Sequence, residues 1–315
     1  MTSCSIIIRA LNEEKYIGRL LEGIIQQSVQ PLQVILVDSG SSDRTVEIAM
    51  SHGTQVVTIL PEEFSFGRAL NRGVAASQGE VAVMVSAHCY PVYPDWLEQL
   101  LKPFADPQVG LCYGKQRGGE TNTYSEQQFF RKYFPDVSQP RQGQPYSHNA
   151  NAAIRRSLWE THTYNEGLTG LEDLAWSSWL MSQGGAIAYS AEAEVVHVHD
   201  ETPRQVYNRH QREALALRQI LPDSRFSLWN FLRLWSSSTT SDLASARREG
   251  VLGRRWREIL WFRLMQYWGT YRGYHLTGEV DARLKQVFNY PPHILSEKTP
   301  ASRPVEPIHY DPKDK

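Results

Sequence analysis

Three groups of side chains in this 315-residue chain have the types and spacing that chemistry needs. Glu172-Asp173 sets two carboxylates side by side at the start of a helical pattern that runs on through Leu174 and Trp176. The helix dipole alone favours acidic residues at such a place. Proton transfer is the alternative, and it makes the pair the strongest catalytic candidate in the chain. Val195-Val196-His197-Val198-His199 closes a strand pattern, and the period of two along a strand puts His197 and His199 on one face. Ser86-Ala87-His88 ends the apolar run Glu80–Val85, which reads as a buried parallel strand. Ligands of open α/β sheets sit at the carboxyl ends of strands, so Ser86 to His88 lies where a substrate would. Asp38 opens Asp38-Ser39-Gly40-Ser41-Ser42-Asp43 at another strand end. It is either part of a turn that caps the next helix or a carboxylate placed to accept hydrogen bonds from a ribose or a uracil-like base.

The elements that must position these groups alternate. Strands are expected at 5–8, 33–37, 55–59 and 80–85, with helices at about 17–25, 45–52 and 68–77 between them. Ile17, Leu20, Leu21, Ile24 and Ile25 have helical spacing. Short loops joining alternating strands and helices predict a parallel sheet with right-handed crossovers. Pro91 and Pro94 stop the pivotal strand, and Asp95 is placed to cap a helix near Trp96. Strands are also expected at 110–116 and 195–199. The polar stretch 118–147 reads as a mobile connection that closes over a ligand, or as a surface excursion with no role. Thr202-Pro203 carries the N-cap and first-turn signals of a further helix.

The motif order now resembles a known family. Ile6-Ile-Ile-Arg-Ala-Leu-Asn12-Glu13-Glu14, Val34-Ile-Leu-Val-Asp38-Ser-Gly-Ser-Ser-Asp43-Arg-Thr45 and Phe66-Gly67-Arg-Ala-Leu-Asn71-Arg-Gly73 look like the opening of family 2 glycosyltransferases. The resemblance covers roughly residues 3 to 210 in several ordered blocks. It implies a GT-A fold, an α/β arrangement with a Rossmann-like, mostly parallel central sheet and helices on both faces. It implies a nucleotide-diphosphate sugar donor with Asp38 on the base. Ala10, Asn12 and Glu13 would line that pocket, with Arg68 and Asn71 near it and Ser86 and His88 at the diphosphate. Asn151 is expected either to hold a donor-sugar hydroxyl or to satisfy local backbone. The resemblance also implies an inverting transfer with Asp173 as general base, assisted by Glu172. The family's metal motif is Asp-x-Asp or a close variant, and here those positions read Ser86-Ala87-His88. A divalent cation, Mn²⁺ or Mg²⁺, is the implied cofactor, and imidazole suits Mn²⁺ better. His88 then either ligates it, with His197 or His199 completing the site, or bonds the diphosphate directly.

Composition bounds the rest. The chain is 41% hydrophobic and 21% charged, as soluble globular proteins are. Residues 1–200 carry 14 Lys and Arg against 22 Asp and Glu, whereas residues 201–290 carry 15 against 8. The expected organisation is a catalytic domain at 1–202, with a nucleotide half at 1–90 and an acceptor half at 91–202. A basic, aromatic helical extension at 203–290 and a disordered tail at 291–315 follow. Trp and Arg in the extension suit a membrane surface bearing anionic lipid, or a subdomain packed on the core. The acidic first two hundred residues and the lack of nucleic-acid motifs argue against a nucleic-acid partner. The dinucleotide fingerprint, the P-loop and H-E-x-x-H are absent, which sets aside dehydrogenases, P-loop ATPases and zincins. Three cysteines without a C-x-x-C pair, no signal-peptide pattern and no membrane-span run predict a cytoplasmic or peripheral protein. The processive relatives' Gln-x-x-Arg-Trp motif is missing, so one sugar is expected per encounter, on a glycan or lipid-linked glycan. A degenerate module of the same fold that binds nucleotide or glycan without catalysis is the competing expectation.

Overall fold

Ile6, Ile7 and Ile8 are all fully buried, yet they serve two different cores. Ile6 and Ile8 join the cluster under Ile17, Leu20, Ala49 and Trp96, while Ile7 joins the one under Leu70, Phe130, Trp176 and Leu180. A strand that sends successive side chains to opposite faces, both buried, must be a central strand covered by helices on each side. The computed structural model, which describes residues 2–168, 170–276 and 305–310, has that layered α/β architecture.

The first half follows the expected alternation: β1 (Cys4–Ala10), α1 (Ile17–Ile25), β2 (Gln33–Asp38), α2 (Thr45–Ser51), β3 (Gln55–Thr58), α3 (Phe66–Ala76) and β4 (Val81–Ser86). Its strands pair in parallel, and the register sets Ala10 beside Asp38 and Arg9 beside Ser86. Three loops therefore open at one end of the sheet. The second half comprises β5 (Cys89–Pro91), α4 (Trp96–Leu101), β6 (Val109–Gly118), α5 (Tyr124–Tyr133), β7 (Asn151–Arg155), α6 (Arg156–Thr161), α7 (Glu172–Ser182) and β8 (Ala186–His197). The eight strands lie in the order β3-β2-β1-β4-β7-β6-β8-β5. β7 is antiparallel to both neighbours and β5 is antiparallel to β8, so the sheet is mixed beyond β4.

Several local expectations are corrected. Asp95 stands at the start of α4, but its carboxylate accepts from Gln99 Nε2 at 3.0 Å and makes no backbone cap. The stretch 118–147 is not a simple connection, because α5 lies inside it and buries Tyr124, Glu126 and Phe130. Thr123 caps that helix by accepting from the Glu126 N–H. Of the proposed disordered tail, residues 305–310 lie against the body. The Ile308 N–H donates to the Val92 carbonyl at 2.9 Å and the Tyr310 hydroxyl donates to the Pro91 carbonyl. The rest of 291–315 lies outside the described residues.

The helical extension is packed on the sheet domain. α8 (Pro203–Ile220) starts with a complete capping box from Thr202 and Gln205. It lies against α10 (Leu252–His275), where only a glycine fits at position 269: a methyl there would stand 2.5 Å from the Tyr207 carbonyl oxygen. α9 (Leu228–Arg248) completes the group. A buried ion pair within the group is bonded to the body through Ser125. Arg263 on α10 donates to both carboxylate oxygens of Asp242 on α9, at 2.8 and 3.2 Å, and to the Ser125 carbonyl on α5. Ser125 Oγ donates to the same carboxylate at 2.6 Å.

Removing one partner of a buried pair strands the other charge. Arg263→Ala is expected to lower unfolding free energy by about 3–5 kcal/mol in urea titrations, and the double change Asp242→Leu with Arg263→Met to recover most of it. A single replacement that costs less than about 1 kcal/mol would show that the pair does not hold the extension in place.

Candidate active site

The loops after β1 and β2 are stitched together by polar side chains. Asp38 is 3% exposed, and its carboxylate accepts from the Gly40 N–H at 3.0 Å and the Ser41 N–H at 3.1 Å. Asn12 adopts a left-handed backbone (φ 56°) and its side-chain oxygen accepts from the Ser42 N–H at 2.8 Å, while Ser41 Oγ accepts from the Asn12 N–H. The Glu13 N–H donates to Thr45 Oγ1 at 2.7 Å. Asp38 thus performs the turn-making role, at the strand end where a nucleotide contact would also be made. Ala10 is buried at the β1 terminus, beside it in the sheet register.

Two expected pocket residues have other work. The Asn71 amide is fully used: it donates to the Tyr164 carbonyl and Glu166, and accepts from Trp159 Nε1 and the Tyr164 N–H. Arg68 Nε donates to the same Glu166 at 2.8 Å. Together they staple the 164–166 segment to α3. Asn151 is fully buried, accepts from Trp96 Nε1 at 3.0 Å and donates to the carbonyls of Lys115 and Ala193. It is a strut between strands, so the sugar-hydroxyl role is withdrawn and the backbone role stands.

The acid pair opens α7, directly after Leu171, a non-glycine residue at φ 52°. Left-handed backbone of this kind costs roughly 1–2 kcal/mol and is kept only where its surroundings enforce it. Glu172 is buried and accepts from Arg9 Nη1 at 3.4 Å and Asn149 Nδ2 at 3.2 Å. Asp173 accepts from the Asn149 N–H at 3.3 Å and from its neighbour Leu174 N–H at 2.8 Å. Burial, and then the Glu172 carboxylate beside it, push the Asp173 carboxyl up to about 7. The Ala150 carbonyl, one residue after Asn149, accepts from the buried Ser86 N–H at 3.4 Å. The acid pair is therefore held at the carboxyl end of β4.

The histidines converge because β5 doubles back onto β8. Cys89 is the sheet partner of His197, and the Val198 N–H donates to the His88 carbonyl at 3.0 Å. Ring centroids lie 4.2 Å apart for His197 and His199, 5.1 Å for His88 and His197, and 5.7 Å for His88 and His199. Each Nδ1 has an oxygen partner: Glu13 Oε1 at 2.7 Å from His88, Gln116 Oε1 at 2.7 Å from His197 and Glu126 Oε1 at 2.6 Å from His199. One ring nitrogen of each histidine falls within 4.8 Å of the others, a spacing that suits a shared metal ion. His197 Nε2 is buried without a hydrogen-bond partner among the described residues. The donor set therefore fits a divalent cation.

His148 joins the group at 5.8 Å from His197, and burial, with His199 next, holds its imidazole down to about 3. Burial opposes charge on His199, but Glu126 outweighs it and raises that imidazole. Burial likewise opposes charge on Glu126, which His199 and Arg209 hold below the usual carboxylate range. A cleft of about 1010 Å³ adjoins the cluster, lined by Tyr16, Arg19, Tyr90, Phe130 and Tyr310, and it shares Gln116 with it.

The sequence reading missed Asn149, Glu126, Gln116 and Arg9. Glu126 had a visible signal: Thr123-Tyr-Ser-Glu126 has the S/T-x-x-E spacing of a helix start. The other three had none, since each acts through a residue far away in the chain.

Known proteins place this geometry. Over residues 5–163 the chain matches the family described as Glycosyl transferase family 2. It is 29% identical over 204 residues to the O-antigen chain rhamnosyltransferase WbaN of Salmonella anatum, covering 59% of this chain and 62% of the relative. It is 26% identical over 219 residues to the O-antigen chain rhamnosyltransferase RfbN of Salmonella typhimurium LT2, covering 65% and 69%. The first match spans less than two thirds of its relative's length. Among solved structures it is similar to the mannosyltransferase PcManGT of Pyrobaculum calidifontis, in complex with GDP-Man and Mn²⁺. The TM-score is 0.61 at 19% identity, over 84% of both chains. Glucosyl-3-phosphoglycerate synthase of Mycobacterium tuberculosis, with Mn²⁺ and UDP, gives 0.52 at 22% identity, over 71% and 81%. These structures share the fold, and it is the GT-A architecture expected from the sequence. The matched residues run from β1 past β7 and include the loops after β1, β2 and β4, and on that match the chain belongs to glycosyl transferase family 2.

Proposed function

We propose that this protein moves one sugar, with inversion, from a nucleotide-diphosphate donor to a glycan or lipid-linked glycan in polysaccharide synthesis. The carrying observation is Asp173, a carboxylate raised to about 7 and held through Asn149 at the end of β4, among the loops that would seat the donor. The nucleotide base lies on Asp38, within the pocket of Ala10, Asn12 and Glu13. Asp173 takes the proton of the acceptor hydroxyl as its oxygen bonds to the anomeric carbon. The bond from that carbon to the diphosphate breaks on the opposite face, and the electron pair leaves with the nucleoside diphosphate. His88, His197 and His199 would hold a divalent cation, which would supply charge neutralisation at the leaving diphosphate. Glu172 keeps Arg9 beside the pair and raises the Asp173 carboxyl by like-charge repulsion. The O-antigen rhamnosyltransferase relatives support a glycan acceptor and make rhamnose the sugar to test first.

A base must be ionised to work. Transfer is expected to rise about tenfold per pH unit up to about 7 and then level off. Glu172→Gln should move that limb to lower pH by removing the neighbouring charge. Asp173→Asn should cut turnover by about 10²–10⁴ with nucleotide affinity little changed. The missing carboxylates at Ser86 to His88 favour the competing reading, a degenerate binding module. Full retention of transfer by Asp173→Asn would remove Asp173 as base, and no transfer by the parent protein with any donor would favour the module.

The same raised carboxyl affects stability. The folded state favours protonated Asp173, so this residue's contribution is greatest at low pH and falls as pH rises from the ordinary carboxylate range through about 7. Asp173→Asn should therefore raise the melting temperature at pH 8 but not at pH 4, as read by calorimetry. Equal shifts at both pH values would show that the carboxyl is not perturbed.

We further infer a peripheral site on the cytoplasmic face of a membrane. Among the described residues, no helix is long and apolar enough to span a bilayer. Trp229 is 70% exposed at the start of α9, flanked by exposed Leu221, Leu228 and Leu232 and by exposed Arg225 and Arg233. Apolar and cationic groups together suit an anionic leaflet. In sedimentation with phosphatidylglycerol vesicles, Trp229→Glu is expected to weaken binding by roughly tenfold or more. Unchanged pelleting would rule this surface out.

A further inference from the structure

We propose that His88, His197 and His199 form an all-nitrogen site that takes a divalent transition-metal ion and rejects Mg²⁺, with Glu13, Gln116 and Glu126 as the positioning residues that set it. This deepens the reading above, which leaves the cation open between Mn²⁺ and Mg²⁺.

The tautomers follow from the partners. An ionised carboxylate only accepts hydrogen bonds, so Nδ1 of His88, 2.7 Å from Glu13, and Nδ1 of His199, 2.6 Å from Glu126, must each carry the proton. Gln116 Oε1 does the same for His197 at 2.7 Å. All three rings then present Nε2 with a free lone pair. One nitrogen from each lies within 4.8 Å of the others, and His197 Nε2 is buried with no hydrogen-bond partner among the described residues. A buried lone pair in that state calls for an occupant, and ligation supplies one. Histidine ligands whose other nitrogen is hydrogen-bonded to a carboxylate or an amide oxygen are fixed in ring angle and made more basic.

The same contacts decide the metal. Mg²⁺ needs an octahedron built mainly of oxygen, and this trio offers none. The nearest carboxylates, Glu13 and Glu126, are already committed to Nδ1 protons. Imidazole nitrogen instead favours Mn²⁺, Co²⁺ or Zn²⁺, with affinity rising along the transition series. A second group, Glu126, His199 and Glu201, has similar spacing. It is filled by the Arg209 guanidinium, which lies 2.9 Å from Glu126 and 2.5 Å from Glu201 and supplies the cation itself. His199 is left to serve the histidine trio.

The test uses the full chain, stripped with EDTA, dialysed and titrated with CoCl₂ while its visible d–d absorption is followed. One equivalent should saturate the bands, ZnCl₂ should remove them, and about a hundredfold excess of MgCl₂ should leave them intact. His197→Ala should abolish them. Glu13→Gln and Glu126→Gln should each weaken Co²⁺ binding about 10–100-fold, with the far-ultraviolet circular dichroism of the parent. Glu13 is the less buried of the two, so that variant still decides the matter if Glu126→Gln misfolds. Displacement of Co²⁺ by an equal concentration of Mg²⁺, or unchanged bands in His197→Ala, would overturn the inference. A protein that transfers sugar yet shows no Co²⁺ bands sinks the metal site and leaves the transferase standing. Bands without transfer from any donor would do the reverse.

Discussion

The site depends on one short antiparallel pairing at the sheet edge. Cys89–Pro91 lies against Val195–His197, and the Val198 N–H closes the register on the His88 carbonyl. The chain leaves β4 at Ser86, turns through Ala87 and His88, and pairs with β8 from Cys89 onward. His88 is thereby carried to the two histidines that strand alternation had already placed on one face. Tyr310 and Ile308 bond to the outer side of this same segment, at Pro91 and Val92. The edge strand is thus covered by the chain's own later residues, as exposed edges generally must be.

Next to this cluster, charge is distributed unequally between two adjacent carboxylates. Glu172 has a cation, Arg9, and an amide donor, Asn149 Nδ2. Asp173 has two backbone N–H donors and, among the described residues, no ion-pair partner. Burial penalises charge on Asp173, and no guanidinium bonded to it among the described residues offsets that penalty. The Asp173 carboxyl is then raised by burial and by its charged neighbour together. The asymmetry originates in β1, since Arg9 sits beside Ser86 in the parallel register and reaches Glu172 from there. A residue of the first strand therefore holds a carboxylate more than 160 positions later.

How much of this was legible in the sequence follows from the range of the interactions. Local periodicity gave the buried strands of the first half, the helix of Ile17 to Ile25 and the common face of His197 and His199, because each is a matter of a few residues. Thr202-Pro203 announced α8 for the same reason. Side-chain availability was not legible. Asn71 and Asn151 have the amide groups that a sugar pocket uses, but Trp159 and Trp96 consume them, and those indoles approach only once the sheet is built. The turn-making role of Asp38 was legible, since its turn lies within three residues of it. Glu126, despite its S/T-x-x-E spacing, is easily passed over because a Gln-rich stretch without apolar periodicity looks like a connection. Its helix is held by contacts with α9 and α10 that the local sequence does not contain.

The replacement of the family's acidic motif by Ser86-Ala87-His88 need not remove the negative charge that a cation requires. In the proposed site that charge has moved outward by one shell. Glu13 and Glu126 stand behind His88 and His199, each bonded through an imidazole that conveys part of its charge to the facing nitrogen. A carboxylate in direct contact would favour a hard cation and would tolerate wide variation in geometry. An imidazole backed by a carboxylate has a fixed direction and a softer donor atom. On the Glu126 side the outward placement is supported by Arg209, whose guanidinium shares the buried carboxylate with His199. Contact with α8 through Arg209 also brings the helical extension to the end of β8, beside the proposed site.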